Sequence, residues 1–330
     1  MERIGKYFSS REDGKIKCSL CPVGCVLKAG QRGICQGRYN NNGEMVVTNY
    51  GEVVSLCIDP IEKKPLYHFY PGSVILSTGP NGCNLKCANC QNWNISQEKA
   101  PTDYISPEAM ASISRNENSI GVAYTYTEPF IWFEYLLDTM PLVRDQGGFN
   151  VLVTNGYVML DPLNELLPHI DAINIDLKSI EDSFYRKICH GRLKNVQDTI
   201  LKAIERGVHI EITNLLITGL NDSVEQITKL VDWLGNVPRG TPLHFSRYFP
   251  TYKLDNPATS AEILKIAYLI AKEKMDYVYV GNLHIEGTSD TFCPACGALL
   301  ISRSGYRINI VNLKKDRCGQ CGFLINMRNS

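Results

Sequence analysis

Ser73 to Gln97 reads S-V-I-L-S-T-G-P-N-G-C-N-L-K-C-A-N-C-Q-N-W-N-I-S-Q. Its opening is short, apolar and β-branched, and Gly79, Pro80 and Gly82 stop it, which predicts a buried strand running into a loop. The loop carries Cys83, Cys87 and Cys90. Three thiolates crowded onto one glycine-punctuated loop cannot all pair with one another, and they point to a metal. Four similar ligands would suit zinc or a complete iron–sulfur cage. Three leave one metal position open, and an open position is where chemistry can happen.

The composition bounds what surrounds this loop. The chain has 330 residues, 44% hydrophobic and 21% charged, with a formal net charge of zero. That balance is ordinary for a globular protein, and it argues against work on nucleic acids or membrane surfaces by bulk electrostatics. The opening M-E-R-I-G-K-Y-F-S-S has no apolar signal core, and no apolar run nears the ~20 residues of a membrane span. A cytoplasmic location is expected. The outlying number is thirteen cysteines. They fall in tight groups, which in a reducing compartment read as metal ligands rather than disulfides. Open-sited clusters are oxygen-sensitive, so an anaerobic host is expected.

Working outward, residues 73 to 281 alternate strand and helix. Strands are predicted at 73–77, 120–126, 149–154, 171–177, 208–215 and 241–247, with Y-V-Y-V-G (277–281) as a last short strand. Helices are predicted at 129–144, 181–188, 195–206, 222–235 and 260–274, and another opens at Ser106 as N-cap with Pro107 at N1. Six strand–helix units demand parallel right-handed crossovers. They fit an open (β/α)6 partial barrel or a doubly wound sheet, since the span is short of the ~250 residues of a full barrel.

Residues 1–72 form a first unit. Cys18, Cys21, Cys25 and Cys35 have knuckle-like spacing, compatible with a structural zinc, a second iron–sulfur cluster or no metal. Residues 44–58 predict a β-hairpin turning at Asn49 to Gly51, with Cys57 in core packing. Residues 59–72 read as an ordered lead-in loop in which His68 is a structural hydrogen-bonder. Residues 73–287 are the central unit and 288–330 a third. In the third, C-P-A-C-G and C-G-Q-C-G set Cys293, Cys296, Cys318 and Cys321 in two knuckles around a β-rich insert. This is a zinc-ribbon signal, with a rubredoxin-like iron as the minor reading.

In parallel α/β folds ligands bind at the carboxyl ends of strands. Polar groups gather there along this chain: Tyr126-Thr127-Glu128, Thr154-Asn155-Gly156, Asp176 and Lys178, Asn214, and His244 to Arg247. Such groups are costly to bury unless they bind something. Cys189, beside His190 and near Arg192, reads as packing.

The run C-x3-C-x2-C resembles that of the radical S-adenosylmethionine (SAM) enzymes. D-P-I-E-K-K-P-L-Y-H-F (59–69), G-C-N-L-K-C-A-N-C-Q-N-W-N-I-S (82–96), A-Y-T-Y-T-E-P (123–129), V-T-N-G-Y (153–157), N-I-D-L-K (174–178) and H-F-S-R-Y-F-P-T-Y-K (244–253) sharpen the likeness. Over nearly its whole length the chain resembles the radical SAM component of the AmmeMemoRadiSam system, related to pyruvate formate-lyase activating enzymes. The resemblance implies the partial (β/α)6 barrel, with Cys83, Cys87 and Cys90 holding a [4Fe–4S] cluster whose open iron is chelated by SAM. It implies SAM contacts from Tyr126, Thr127, Glu128, Asn155, Asp176, Lys178, His244 and Arg247. It also implies an electron donor of flavodoxin or ferredoxin type, Memo-like and Ammecr-like partners, and hydrogen abstraction from a substrate. A glycyl-radical-enzyme activase is the alternative. An iron–sulfur electron carrier without SAM chemistry is the alternative of another class. Three departures stand out: Asn89 where the family has an aromatic, Val153 where activating enzymes have Asp, and no glycine-rich loop before Glu128.

Overall fold

The computed structural model describes residues 3–117 and 119–329. Its centre is one eight-stranded sheet: β1 (Ser55–Pro60), β2 (Val74–Gly79), β3 (Gly121–Tyr124), β4 (Phe149–Thr154), β5 (Ala172–Asp176), β6 (His209–Leu216), β7 (Leu243–Arg247) and β8 (Val278–Gly281). The strands lie side by side in chain order. From β2 to β8 every pairing is parallel, and β1 alone runs antiparallel, against β2. The seven parallel strands are the six expected and Y-V-Y-V-G as the last, and the antiparallel β1 adds an edge that the sequence reading did not foresee.

Among the described residues the helices of seven residues or more are α1 (Pro107–Asn116), α2 (Phe133–Asp145), α3 (Leu160–Leu166), α4 (Leu193–Glu205), α5 (Val224–Leu234) and α6 (Ala261–Lys272). Ser106 caps α1 by accepting from the Ala109 N–H, with Pro107 at the first position. Ser223 and Gln226 form a capping box on α5. The 181–188 prediction resolves into two short turns, Asp182–Phe184 and the wider Tyr185–Cys189.

The strands' two-residue period sorts the buried residues by face. Leu76, Val122, Leu152, Ile173, Ile210 and Ile212 pack with the helices in the large core. On the opposite face, Ile75, Ala123, Val151 and Ala172 meet Ile61, Leu66 and Phe69. The last three belong to the loop before β2, so this loop fills the barrel at the amino-terminal ends of the strands. Glu211 fixes it there: its carboxylate accepts from the Tyr67 N–H at 3.0 Å and the His68 N–H at 2.7 Å. His68 is the structural hydrogen-bonder the sequence suggests, bonded to the Asn326 carbonyl at 2.8 Å and the Tyr279 hydroxyl at 2.6 Å.

Two expectations are corrected. The amino-terminal hairpin pairs Arg38–Asn41 with Glu44–Val47 and turns at Asn42-Gly43, both in left-handed conformation. Asn-Gly is the preferred pair for a two-residue turn. Residues 52–53 pair instead with 103–104, and 55–60 become β1. Cys57 is exposed rather than in the core, because β1 is the sheet's edge and its outer residues have no neighbour.

Candidate functional site

The cysteine loop leaves the carboxyl end of β2 and is held from three sides. The Lys86 and Ala88 N–H groups donate to the Cys189 and Ile188 carbonyls at 3.0 and 2.9 Å. The Ala88 carbonyl accepts from the Lys253 N–H at 3.0 Å, and Trp93 stacks on Tyr252. On the β4 side, Asn155 Nδ2 donates to Asn84 Oδ1 at 2.9 Å and reaches Cys83 Sγ at 3.6 Å, while Asn84 Nδ2 donates to the Tyr157 carbonyl at 2.7 Å.

All three thiols have raised pKa values. Burial does this for Cys83 and Cys90, and contact with the buried Cys189 together with burial does it for Cys87. A thiol so placed is a poor free nucleophile, whereas a soft metal readily takes its proton's place. Asn89 Oδ1, inside the same run, is buried without a protein partner. Three soft donors on one loop suit an iron–sulfur cluster that leaves one iron for another ligand.

Of the other expected contacts, Asp176 and Lys178 come to this end of the sheet, paired at 2.8 Å, with the ammonium in electrostatic reach of Cys87 and Cys189. The Lys178 N–H donates to the Tyr185 hydroxyl at 3.0 Å. Tyr126 turns into the barrel, where its hydroxyl donates to Asp59 at 2.7 Å beside Lys64. Asp59 stays well below the usual carboxylate range: burial opposes its charge, but hydrogen bonds from Lys63, Lys64 and Tyr126 outweigh that. The Thr127 hydroxyl donates to the Pro80 carbonyl at 2.7 Å and so ties β3 to the start of the loop.

Three expected contacts are not offered to a ligand. Glu128 is fully buried and spends both oxygens within the protein. Oε1 accepts from the Phe130 N–H at 2.9 Å and the Thr154 hydroxyl at 2.7 Å, and Oε2 from the Asn155 N–H at 2.9 Å. Through the last of these bonds it holds the Asn155 backbone. His244 faces the barrel but lies deeper, where its Nε2 is 2.6 Å from Glu211 and Tyr67 packs edge-on against the ring. Arg247 lies three residues further along the same strand, which puts it on the opposite face. There its Nε donates to the Thr259 carbonyl and its guanidinium stacks on Phe249. Sequence reading passed over Asn84, Tyr185 and the Asp59–Lys64 pair. Their only signal was a buried-type polar residue next to a motif.

The carboxy-terminal cysteines converge far more tightly. Cys293 and Cys321 Sγ are 3.6 Å apart, Cys296 and Cys318 Sγ 3.7 Å, and all four lie within 4.8 Å of one another. Tetrahedral bonds of about 2.3 Å give sulfur–sulfur edges of about 3.8 Å, so these thiols fit one metal ion.

Residues 78–234 match the Radical SAM superfamily. The chain is 41% identical, over 98% of its length and 99% of the other's, to an uncharacterized protein of Methanocaldococcus jannaschii. It is 31% identical to the pyruvate formate-lyase-activating enzyme of Clostridium pasteurianum, across 47% of this chain and 67% of that one. This chain belongs to the radical SAM superfamily. It is an enzyme of that class, homologous to the activating enzymes, and the class works by radical cleavage of SAM on an iron–sulfur cluster. The fold is shared with Streptococcus suis SuiB bound to S-adenosylmethionine, at TM-score 0.51 and 14% identity, over 66% of this chain and 50% of that one. No helix among the described residues is long and apolar enough to cross a membrane.

Proposed function

We propose that Cys83, Cys87 and Cys90 ligate a [4Fe–4S] cluster, and that Asn155, Asp176 and Lys178 help to bind SAM beside it. A cluster bound there would supply the electron for reductive cleavage of the sulfonium S–C5′ bond, which releases methionine and leaves a 5′-deoxyadenosyl radical to take hydrogen from a substrate carbon. The observation that carries the reading is the clamped three-cysteine loop at the strand ends, facing a lysine–aspartate pair. Lys178 suits the methionyl carboxylate by charge, and Asp176 suits a ribose hydroxyl or the amine. Thr127, Glu128 and Tyr126 hold the loop and the adjoining strand ends in register. A misplacement of ~1 Å at such a centre can cost ~100-fold in rate.

The long resemblance favours a radical SAM member of the AmmeMemoRadiSam system, working in the cytoplasm with Memo-like and Ammecr-like partners and reduced by a flavodoxin or ferredoxin. The likeness to a pyruvate formate-lyase-activating enzyme supports a second reading, generation of a glycyl radical on a partner protein. An electron carrier would need no polar set at the strand ends. The spacing of Cys293, Cys296, Cys318 and Cys321 supports structural zinc in a ribbon-like unit spanning 288–330.

The test is oxygen-free purification, reconstitution with iron and sulfide, and addition of SAM and dithionite. 5′-Deoxyadenosine is expected. A fully loaded cluster that leaves SAM intact overturns the proposal. Cys87→Ala abolishes cleavage while zinc content stays unchanged, and loss of zinc instead would mean that the metals are wrongly assigned.

A further inference from the structure

The four amino-terminal cysteines are built differently from the four at the other end. Cys18 and Cys35 are buried, Cys21 and Cys25 half-buried, and together they wall a small enclosed cavity with Arg38 among leucine and isoleucine side chains. Zinc bonded at about 2.3 Å pulls its four sulfurs to within about 3.8 Å of one another. The carboxy-terminal quartet meets that spacing. No three of the amino-terminal sulfurs lie mutually within 4.8 Å, for among the described residues only the carboxy-terminal group does so. Around Gly33, an added Cβ would meet Cys25 Sγ and Cys35 Sγ at 3.8 Å each, so the two thiols flank the glycine.

Arg38 supplies a second and independent observation. It is 1% exposed. One terminal nitrogen donates to Glu134 and the other to the Lys6 carbonyl at 2.6 Å, yet its Nε–H is buried with no protein partner. An unpaired buried donor is costly. Set in the wall of a sulfur-lined cavity, it is placed to donate to thiolate or sulfide. Backbone N–H groups of Val23, Ile34 and Gly37 already point at Cys21, Cys25 and Cys35. Such hydrogen bonds are among the determinants of an iron–sulfur centre's potential.

We infer that Cys18, Cys21, Cys25 and Cys35 hold a second iron–sulfur cluster, not zinc, with Arg38 Nε–H as its hydrogen-bond donor. It sits against the proposed catalytic loop. A Cβ added to Gly82, next to Cys83, would lie 2.2 Å from the Cys35 carbonyl oxygen. The two cysteine groups therefore meet across a backbone contact.

The inference rests on the family reading only for the first cluster, and the experiment separates the two. The full chain carrying Cys83→Ala, Cys87→Ala and Cys90→Ala is reconstituted without oxygen, and iron, acid-labile sulfide and zinc are counted. About four irons and four sulfides per chain with sulfide-to-iron absorption are expected, and they are lost when Cys18→Ala and Cys35→Ala are added. Two zinc ions per chain and no sulfide would overturn the inference while leaving the catalytic proposal intact. If the triple variant does not fold, the unmodified chain decides. About eight irons support the second cluster and about four overturn it. In the folded chain, Arg38→Lys keeps the charge but removes the Nε–H. A shifted reduction potential or EPR line shape for the cluster that survives the triple substitution is expected, and an unchanged one refutes the hydrogen bond.

Discussion

At the scale of single residues, Glu128 shows how fully a motif residue can be engaged within the protein. Burial raises its pKa from 4.5 to about 7. A carboxyl whose folded value is raised contributes stability fully present below the unfolded value and lost as pH climbs through the folded one. Urea stability should therefore fall between pH 4.5 and about 7 by up to one proton's worth of slope, and Glu128→Gln should flatten that segment. The amide also sets an N–H₂ against a backbone N–H or the Thr154 hydroxyl, at a cost of about 1–3 kcal/mol, checked by the same denaturation curves. A slope that survives the substitution would assign the titration elsewhere. The identity and position of such residues were legible in the sequence. Their partners were not, because strand parity and depth decide whether a side chain is free. His244 is taken by Glu211 and Arg247 faces the other way, though both stand in one conspicuous run.

At the scale of elements, the alternation of strand and helix was read with boundaries good to a few residues, since periodicity records which face is buried. What it could not record is which strand a segment pairs with. Residues 44–58 looked like one hairpin, but they divide among three sheets because Asn42-Gly43 is the stronger turn. Close backbone approach was equally hidden. An added Cβ on Gly79, at the end of β2, would lie 2.2 Å from the Thr125 carbonyl oxygen of the adjoining strand end. Gly79→Ala should thus part β2 from β3 and loosen the anchor of Thr127 on Pro80. A loss of about 1–3 kcal/mol in denaturant is expected, with poorer retention of iron at the adjoining loop. Unaltered stability and iron content would show that the strand ends yield freely.

At the scale of the molecule, the barrel is closed below by its own lead-in loop, and one carboxylate governs that closure. Glu211 takes hydrogen bonds from two backbone N–H groups of the loop and lies against His209 and His244 at 3.1 and 2.6 Å. Despite full burial, these partners hold its pKa far below the ordinary range. Glu211→Ala leaves buried donors unpaired and should cost about 3–5 kcal/mol, read by thermal or denaturant unfolding. It should also hasten hydrogen exchange at Tyr67 and His68. A fall below 1 kcal/mol would mean that the loop holds itself.

The same loop is fastened from the far end of the chain. The Asn326 carbonyl meets the His68 ring, the Arg328 N–H donates to the His68 carbonyl at 2.8 Å, and the Tyr70 N–H donates to the Arg328 carbonyl at 2.7 Å. Contacts spanning some 260 residues are slow to form. During synthesis the strands and both earlier cysteine groups leave the ribosome well before this latch exists. The floor of the barrel thus gains this fastening late, and a chain stalled or clipped before Asn326 would carry its metal-binding loops above a base held by Glu211 without the latch.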